Sequence, residues 1–395
     1  MTTRPNLLFY CQHSLGLGHL VRSLALADGL AEYFNVVVLN GGRLPAGTVI
    51  PTGVELVNLV PLGHDEDAQL VSHDPAHTVD QAKVLRRTRI LDTFAEQRPA
   101  VVLVELFPFG RKKFAFELIP LLDTLAAGGT ARPHVVCSLR DILVNQRRDQ
   151  AGHDERAART ANDHFDAVLV HTDPSFARLE DSFRPATALK VPVHYTGFVT
   201  VRPPPRNPSP GQQRIIVSAG GGMVGETLFR AAVQEHRLLH KRTGLTTTVV
   251  AGPFLPEAAW AWLQAQAVDS PALTVIRQVD DLAGEIAASA VSISQCGYNT
   301  TMDLLVAGTP AVVVPYAEGR EDEQSRRAER LAQLGVVETI PAAAALTCGA
   351  LGRAVERVRQ RPTQRTTLDL DGRQTSARII AALAGVAPAG PKLTP

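Results

Sequence analysis

The sequence predicts an α/β chain built from two doubly wound parallel-sheet domains, and three observations carry that prediction. Short apolar runs of strand length alternate with helical patterns throughout, the order that gives parallel sheets covered by helices on both faces. Each half opens alike, with a strand, a glycine loop and a helix: 6–11 then the loop through Gly16 and Gly18, and 214–218 then 219–225. A length of 395 residues also exceeds what one hydrophobic core organises. Between the halves, 201–213 (VRPPPRNPSPGQQ) holds five prolines and little that could pack, so it reads as a linker. The expected plan is a first domain over 1–200, the linker, a second domain over 214–386 and a flexible tail over 387–395.

In the first half, strands are expected at 6–11, 36–39, 101–105, 134–138 and 167–171. The first is followed by a helix patterned on Leu20, Leu24, Leu26, Ala27 and Leu30. In the second half, strands are expected at 214–218, 246–251, 273–276, 291–294 and 311–315, with a helix over 226–239. The stretch 292–324 is the most telling. A strand closes at Ser294, residues 295–299 turn, and Asn299 or Thr300 caps a helix running to about Ala307, where Gly308 and Pro310 stop it. The unbroken apolar run 311–314 is a buried strand that Pro315 ends. Ligands of such sheets bind beyond the carboxyl ends of the strands, and two such domains facing each other across a hinge would make a cleft.

Bulk composition excludes several classes. Hydrophobic residues make up 45% and charged residues 20%, and the net charge of +1 offers no electrostatic case for nucleic acid. The four cysteines, Cys11, Cys137, Cys296 and Cys348, form no CxxC pair, which argues against a zinc site or a disulfide framework and suits a reducing cytoplasm. No apolar stretch has the length of a signal peptide core or a membrane span, so a cytoplasmic protein is expected, with any membrane contact peripheral.

The loops carry the chemistry. A dinucleotide fingerprint would need a glycine where Val21 stands and an acidic residue where the second strand closes with Asn40, Gly41 and Gly42. His19, at the loop-to-helix junction beside Arg22, can act as general base on a hydroxyl or donate to a phosphate oxygen. The second loop, Gly220, Gly221, Gly222, Met223, resembles a P-loop only superficially, because Glu226 stands where the lysine should be. Its glycines still let backbone approach a diphosphate, and Ser218 adds a hydroxyl. The turn at Gly297, Tyr298, Asn299 and Thr300 feeds a helix N-terminus, an anion site through its N–H groups and dipole. Asp303 is placed in the first turn to reach sugar hydroxyls, with Glu323 and Gln324 at the mouth of the next strand.

Further strand-end residues line the expected cleft on the first-domain side: Glu105 with the aromatic and basic run to Phe114, Arg140, His171, and Asp141 as an alternative base. His64, Asp65, Glu66, Asp67, His73, Asp74 and His77 lack the spacing of a zinc or calcium loop and read as a mobile solvated loop.

The segment with Gly297, Asp303, Gly308-Thr309-Pro310, Val314-Pro315 and Glu323-Gln324 resembles the donor half of the MurG-like (family 28 type) glycosyltransferases. The loop ending in His19 is similar to that family's first glycine loop, and equally to that of related nucleotide-sugar hydrolases, where this histidine is catalytic. The resemblance implies a GT-B fold and an inverting transferase using a nucleotide-diphosphate sugar, UDP-linked for preference, and a hydroxyl-bearing acceptor, small or lipid-linked. It implies glycine loops on the diphosphate, Asp303 on the ribose (the family usually has Glu), and Gln278, Val279 and Leu282 framing the base. Glu323 and Gln324 would hold the transferred sugar. No metal or other cofactor is expected, only the nucleotide sugar as co-substrate. A hydrolase, a 2-epimerase and a non-catalytic nucleotide-sugar binder are the alternatives.

Overall fold

A computed structural model describes residues 4–13, 18–45, 47–65, 69–144, 147–201, 212–317, 322–361 and 366–387. The chain forms two compact units, Met1–Val201 with Leu368–Pro395, and Arg202–Thr367.

In the first unit the elements run β1 (Asn6–Cys11), α1 (Gly18–Leu30), β2 (Asn35–Asn40), β3 (Val54–Asn58), β4 (Leu62–His64), β5 (Leu70–Ser72) and α2 (Val79–Gln97). They continue β6 (Val101–Glu105), α3 (Ala115–Ala126), β7 (His134–Arg140), α4 (Gln150–His164), β8 (Ala167–His171) and β9 (Val193–Tyr195). Seven strands form one parallel sheet in the order β3-β2-β1-β6-β7-β8-β9. Strands such as β6 (VVLVE) are buried along their whole length because helices cover both faces. The order reverses between β1 and β6, so the loops after these two strands diverge and leave a crevice at their carboxyl ends.

The second unit runs β10 (Gln212–Ser218), α5 (Glu226–Thr243), β11 (Thr246–Val250), α6 (Glu257–Val268), β12 (Leu273–Ile276), α7 (Leu282–Ala287) and β13 (Ser289–Ser294). It continues α8 (Tyr298–Ala307), β14 (Ala311–Val313), α9 (Glu323–Gln333), β15 (Glu338–Thr339), α10 (Ala342–Ala345) and α11 (Ala350–Gln360). Its six strands are parallel in the order β12-β11-β10-β13-β14-β15, with the reversal at β10 and β13.

Two outcomes differ from expectation. The last helix, α12 (Gly372–Leu383), belongs to the first unit and not to a domain ending at 386. Its Ala377, Ile380 and Ala381 are buried with Leu7, Phe9, Leu20 and Leu24 of β1 and α1. The segment around His64 and His73 is partly an antiparallel hairpin, β4 with β5, while Glu66 and Asp67 lie outside the described residues. Most of the linker (202–211), Gly16 and the tail from 388 also lie outside them.

Candidate active site

In the first unit the crevice is occupied by a charge cluster. Gly18 and His19 open α1, and Glu105 is the last residue of β6. Nδ1 of His19 lies 2.6 Å from Oε1 of Glu105. Arg22, one turn along α1, donates through Nη2 to the same oxygen at 2.5 Å, and Nε of Arg111 stands 3.7 Å from the other oxygen. Burial alone would raise the Glu105 carboxyl, but His19, Arg22 and Arg111 outweigh it and hold the group well below the usual carboxylate range. Burial pushes the His19 imidazole down to about 3, with Glu105 opposing that fall and Arg111 adding to it. At neutral pH the imidazole is therefore neutral and the carboxylate charged. A carboxylate can only accept, so Nδ1 carries the proton and Nε2 the lone pair. With 20% of the His19 side chain exposed and Glu105 wholly buried, the imidazole is oriented by a sequestered carboxylate.

Glu105 entered the sequence reading only as a lining residue, although the signal for a larger role was there: a carboxylate closing an otherwise apolar strand. Asp141, the alternative base, follows β7 and is 2% exposed, and it is Glu105 that bonds His19. Arg140 is half-buried at the end of β7. His171 does not line a cleft. It is fully buried, its ring nitrogens bonded to Ser138 Oγ (2.7 Å) and Thr196 Oγ1 (2.9 Å), and burial pushes it down to about 3.

In the second unit the loops after β10, β11 and β13 meet. Gly220 and Gly222 have positive φ (55° and 88°), which glycine adopts without strain. A Cβ on Gly222 would fall 2.2 Å from the carbonyl oxygen of Ala251, and one on Gly252 2.5 Å from the backbone of Gly221. Part of the glycine run therefore serves packing of one loop on another rather than ligand approach. Gly220 faces Thr300: a Cβ there would stand 3.5 Å from its Oγ1, so this loop adjoins the start of α8. Ser218 closes β10 with its hydroxyl buried and, among the described residues, without a hydrogen-bond partner. Met223 is exposed.

The N-cap of α8 is Gly297, not Asn299 or Thr300, and being a glycine it brings no side-chain cap of its own. The helix starts early because Gly297 takes the extended cap conformation (φ −64°, ψ 155°), and a Cβ there would meet nothing within 4 Å. Asp303 consequently lies in the second turn, half-buried. Tyr298 and Thr300 are buried and Asn299 half-buried. The Oε1 of Gln324 accepts from the N–H groups of Cys296 (3.0 Å) and Tyr316 (3.1 Å), so this side chain joins the ends of β13 and β14. Glu323, 8% exposed, opens α9. Arg327, which sequence reasoning passed over, is fully buried; it donates to the Cys296 carbonyl at 2.7 Å and lies 5.9 Å from the Tyr298 ring centre. Asp281 caps α7 through Gly284 N–H (3.0 Å); Gln278 is exposed, and Val279 and Leu282 are partly exposed beside it.

Two parallel-sheet units with ligand-ready turns at their carboxyl edges define the GT-B class of α/β protein. Residues 216–381 match the glycosyltransferase family 28 C-terminal domain. A UDP-N-acetylglucosamine–N-acetylmuramyl-(pentapeptide) pyrophosphoryl-undecaprenol N-acetylglucosamine transferase from Salinibacter ruber is 29% identical over 29% of this chain and 33% of its own length. A protein of the same name from a Chelativorans species is 29% identical over 35% of the chain and 36% of its own. The chain thus matches about a third of each of these curated relatives. Among solved structures, a calicheamicin glycosyltransferase superposes with TM-score 0.60 at 17% identity, covering 98% of this chain and 96% of that one. MurG of Acinetobacter baumannii gives 0.56 at 15% identity, covering 96% and 99%. Among the described residues, no helix is long and apolar enough to cross a membrane.

Proposed function

We propose that this protein is an inverting, metal-independent glycosyltransferase that moves a sugar from a UDP-sugar to an acceptor hydroxyl, acting in the cytoplasm. The observation that carries the reading is the His19–Glu105 pair, a neutral imidazole whose proton is held on Nδ1 by a buried carboxylate. In the reading, the second unit binds the donor. The diphosphate lies on the start of α8, whose N-cap is Gly297, and on the loop from Ser218 to Met223, and Asp303 takes the ribose diol. The base rests against the 278–282 segment, and Glu323 and the amide nitrogen of Gln324 hold the sugar. Nε2 of His19 removes the acceptor proton as the hydroxyl oxygen attacks the anomeric carbon. The bond to the diphosphate oxygen breaks with its electron pair, and inversion follows from in-line attack. Helix N–H groups absorb the departing charge, and proton removal by a placed base contributes about 10²–10⁴-fold. The pyrophosphoryl-undecaprenol acceptor in the relatives' names supports a lipid-linked acceptor.

The test is a thermal-shift panel of UDP, dTDP, GDP, CDP and ADP, free and sugar-linked. A ligand at a hundred times its Kd adds about 2.7 kcal/mol. UDP and a UDP-sugar are expected to shift the protein, and Asp303→Ala to remove the shift. If no nucleotide shifts it, with or without magnesium, the donor site and the reading built on it fall.

A further inference from the structure

The most elaborate polar construction of the first unit is not in the crevice but beneath it. Thr78 and Gln81 form a capping box that starts α2, and the helix turns a stripe of Ala82, Arg86, Ile90 and Thr93 inward. Arg86 is an arginine in an apolar stripe with no exposed surface, and every N–H of its guanidinium is used. Nε donates to Glu117 Oε2 (2.8 Å) and Nη2 to Glu117 Oε1 (2.5 Å), the carboxylate of α3 being equally buried. The other donors go to the turns at the carboxyl ends of three strands. Nη2 reaches Gln12 Oε1 after β1 (2.8 Å), and Nη1 reaches Gly41 O after β2 (2.7 Å) and Val60 O after β3 (2.9 Å). Gln12 passes the tether on, donating to His13 O (2.7 Å) and Leu62 O (2.9 Å). Tyr10 completes the cluster, its hydroxyl donating to Glu117 Oε1 at 2.5 Å.

We propose that Arg86, with Glu117, is the positioning residue of the His19 base. The pair fixes the end of β1 at Gln12 against its neighbours, and Cys11, the residue before it, reaches the start of α1 through Sγ, 3.8 Å from the His19 carbonyl oxygen. The inference rests on the reading of His19 as base. Ion pairing alone does not account for the two residues, since well-packed apolar residues commonly replace a buried ion pair without loss, and Ala82 and Ile90 already supply an apolar setting. What apolar residues lack is direction. Three strand-end turns receive an N–H from one rigid planar group, and a shift of about 1 Å at a catalytic group can cost about 10²-fold. Gly41 bears the same mark, because a Cβ there would fall 2.1 Å from Gln12 Oε1 and 2.7 Å from Arg86 Nη2.

The experiment compares wild type, the double variant Arg86→Met/Glu117→Leu, and Gly41→Ala, which keeps both charges but displaces Gln12 and Arg86. UDP release from UDP-N-acetylglucosamine is the probe reaction, and ring ¹⁵N shifts of His19, assigned by His19→Ala, give a second readout. Expected are a lower melting temperature for the double variant, which leaves Gly41 O, Val60 O and Gln12 Oε1 without the Arg86 donors, unchanged UDP affinity and KM where the variants are folded, and at least a tenfold fall in kcat for both. Adding His19→Ala to either is expected to cost less than it costs wild type, and the His19 ring signals are expected to move in both. Folded variants with kcat within twofold and an unmoved His19 spectrum overturn the proposal. Should the double variant fail to fold, Gly41→Ala decides alone. If wild type itself releases no UDP and His19→Ala changes nothing, the transferase reading fails, while the ring spectrum still accepts or rejects the tether.

Discussion

Replacing Glu105 by Gln tests the site at its hub. The amide is isosteric, keeps one acceptor and removes the charge to which His19 and Arg22 both bond, at 2.6 and 2.5 Å. Hydrogen bonds to charged groups contribute about 1.5–3 kcal/mol. Losing the counter-charge as His19 becomes imidazolium should therefore cost kcat about 10- to 100-fold. The same change strands the Arg22 guanidinium, 2% exposed, without its anion, and an uncompensated buried charge costs about 3–5 kcal/mol. Glu105→Gln should thus melt lower and turn over more slowly, and the two effects need separating. Glu105→Gln/Arg22→Met removes both charges. It should recover most of the stability and none of the turnover, measured as UDP release at a temperature where calorimetry shows both variants folded. If the double variant regains wild-type kcat, Glu105 acts through stability alone and the oriented-base argument is wrong.

Two further outcomes follow from the same geometry. His19 and His171 are both held near 3, below the ordinary imidazole value, and Glu105 is held below the ordinary carboxylate value, so the unfolded chain binds more protons than the native one in acid. Stability should therefore be full above about pH 6.5 and fall as pH drops toward 3, with His171→Gln flattening that slope in urea titrations; kcat/KM should show no acid limb near 6.5. In the second unit, Gly297→Ala and Gly222→Ala should part company. The first adds a Cβ where nothing lies within 4 Å, so it should leave stability unchanged and weaken UDP binding at least tenfold by calorimetric titration. The second combines φ of 88° with a contact of 2.2 Å to Ala251 O and should destabilise the protein by about 1–3 kcal/mol; the reverse ranking would show that the α8 terminus is not the anion site.

What the sequence revealed and what it hid divide along a physical line. Buried central strands announced themselves, because a strand covered on both faces needs an unbroken apolar run, as in β1, β6 and β13. The edges did not: β3 has a mixed burial pattern, while β9 has 3 residues and β15 only 2, too few for a period to show. The glycine loop after β10 was placed correctly, yet which of its glycines packs against another loop depends on segments far apart in sequence, as Gly222 against Ala251 shows. The same limit explains α12. Its apolar stripe is legible, but a stripe says only that the helix packs, not on which sheet, and here it packs on α1. Arg86 is the sharpest case. Local pattern would turn Leu85 inward and Arg86 to solvent, whereas Leu85 is 43% exposed and Arg86 has no exposed surface. That inversion is stable only because Glu117, Gln12, Gly41 and Val60 together meet every guanidinium N–H. A local rule broken at the expense of an exposed leucine, where the turns after three strands meet one guanidinium, marks a place that the apolar core alone does not explain.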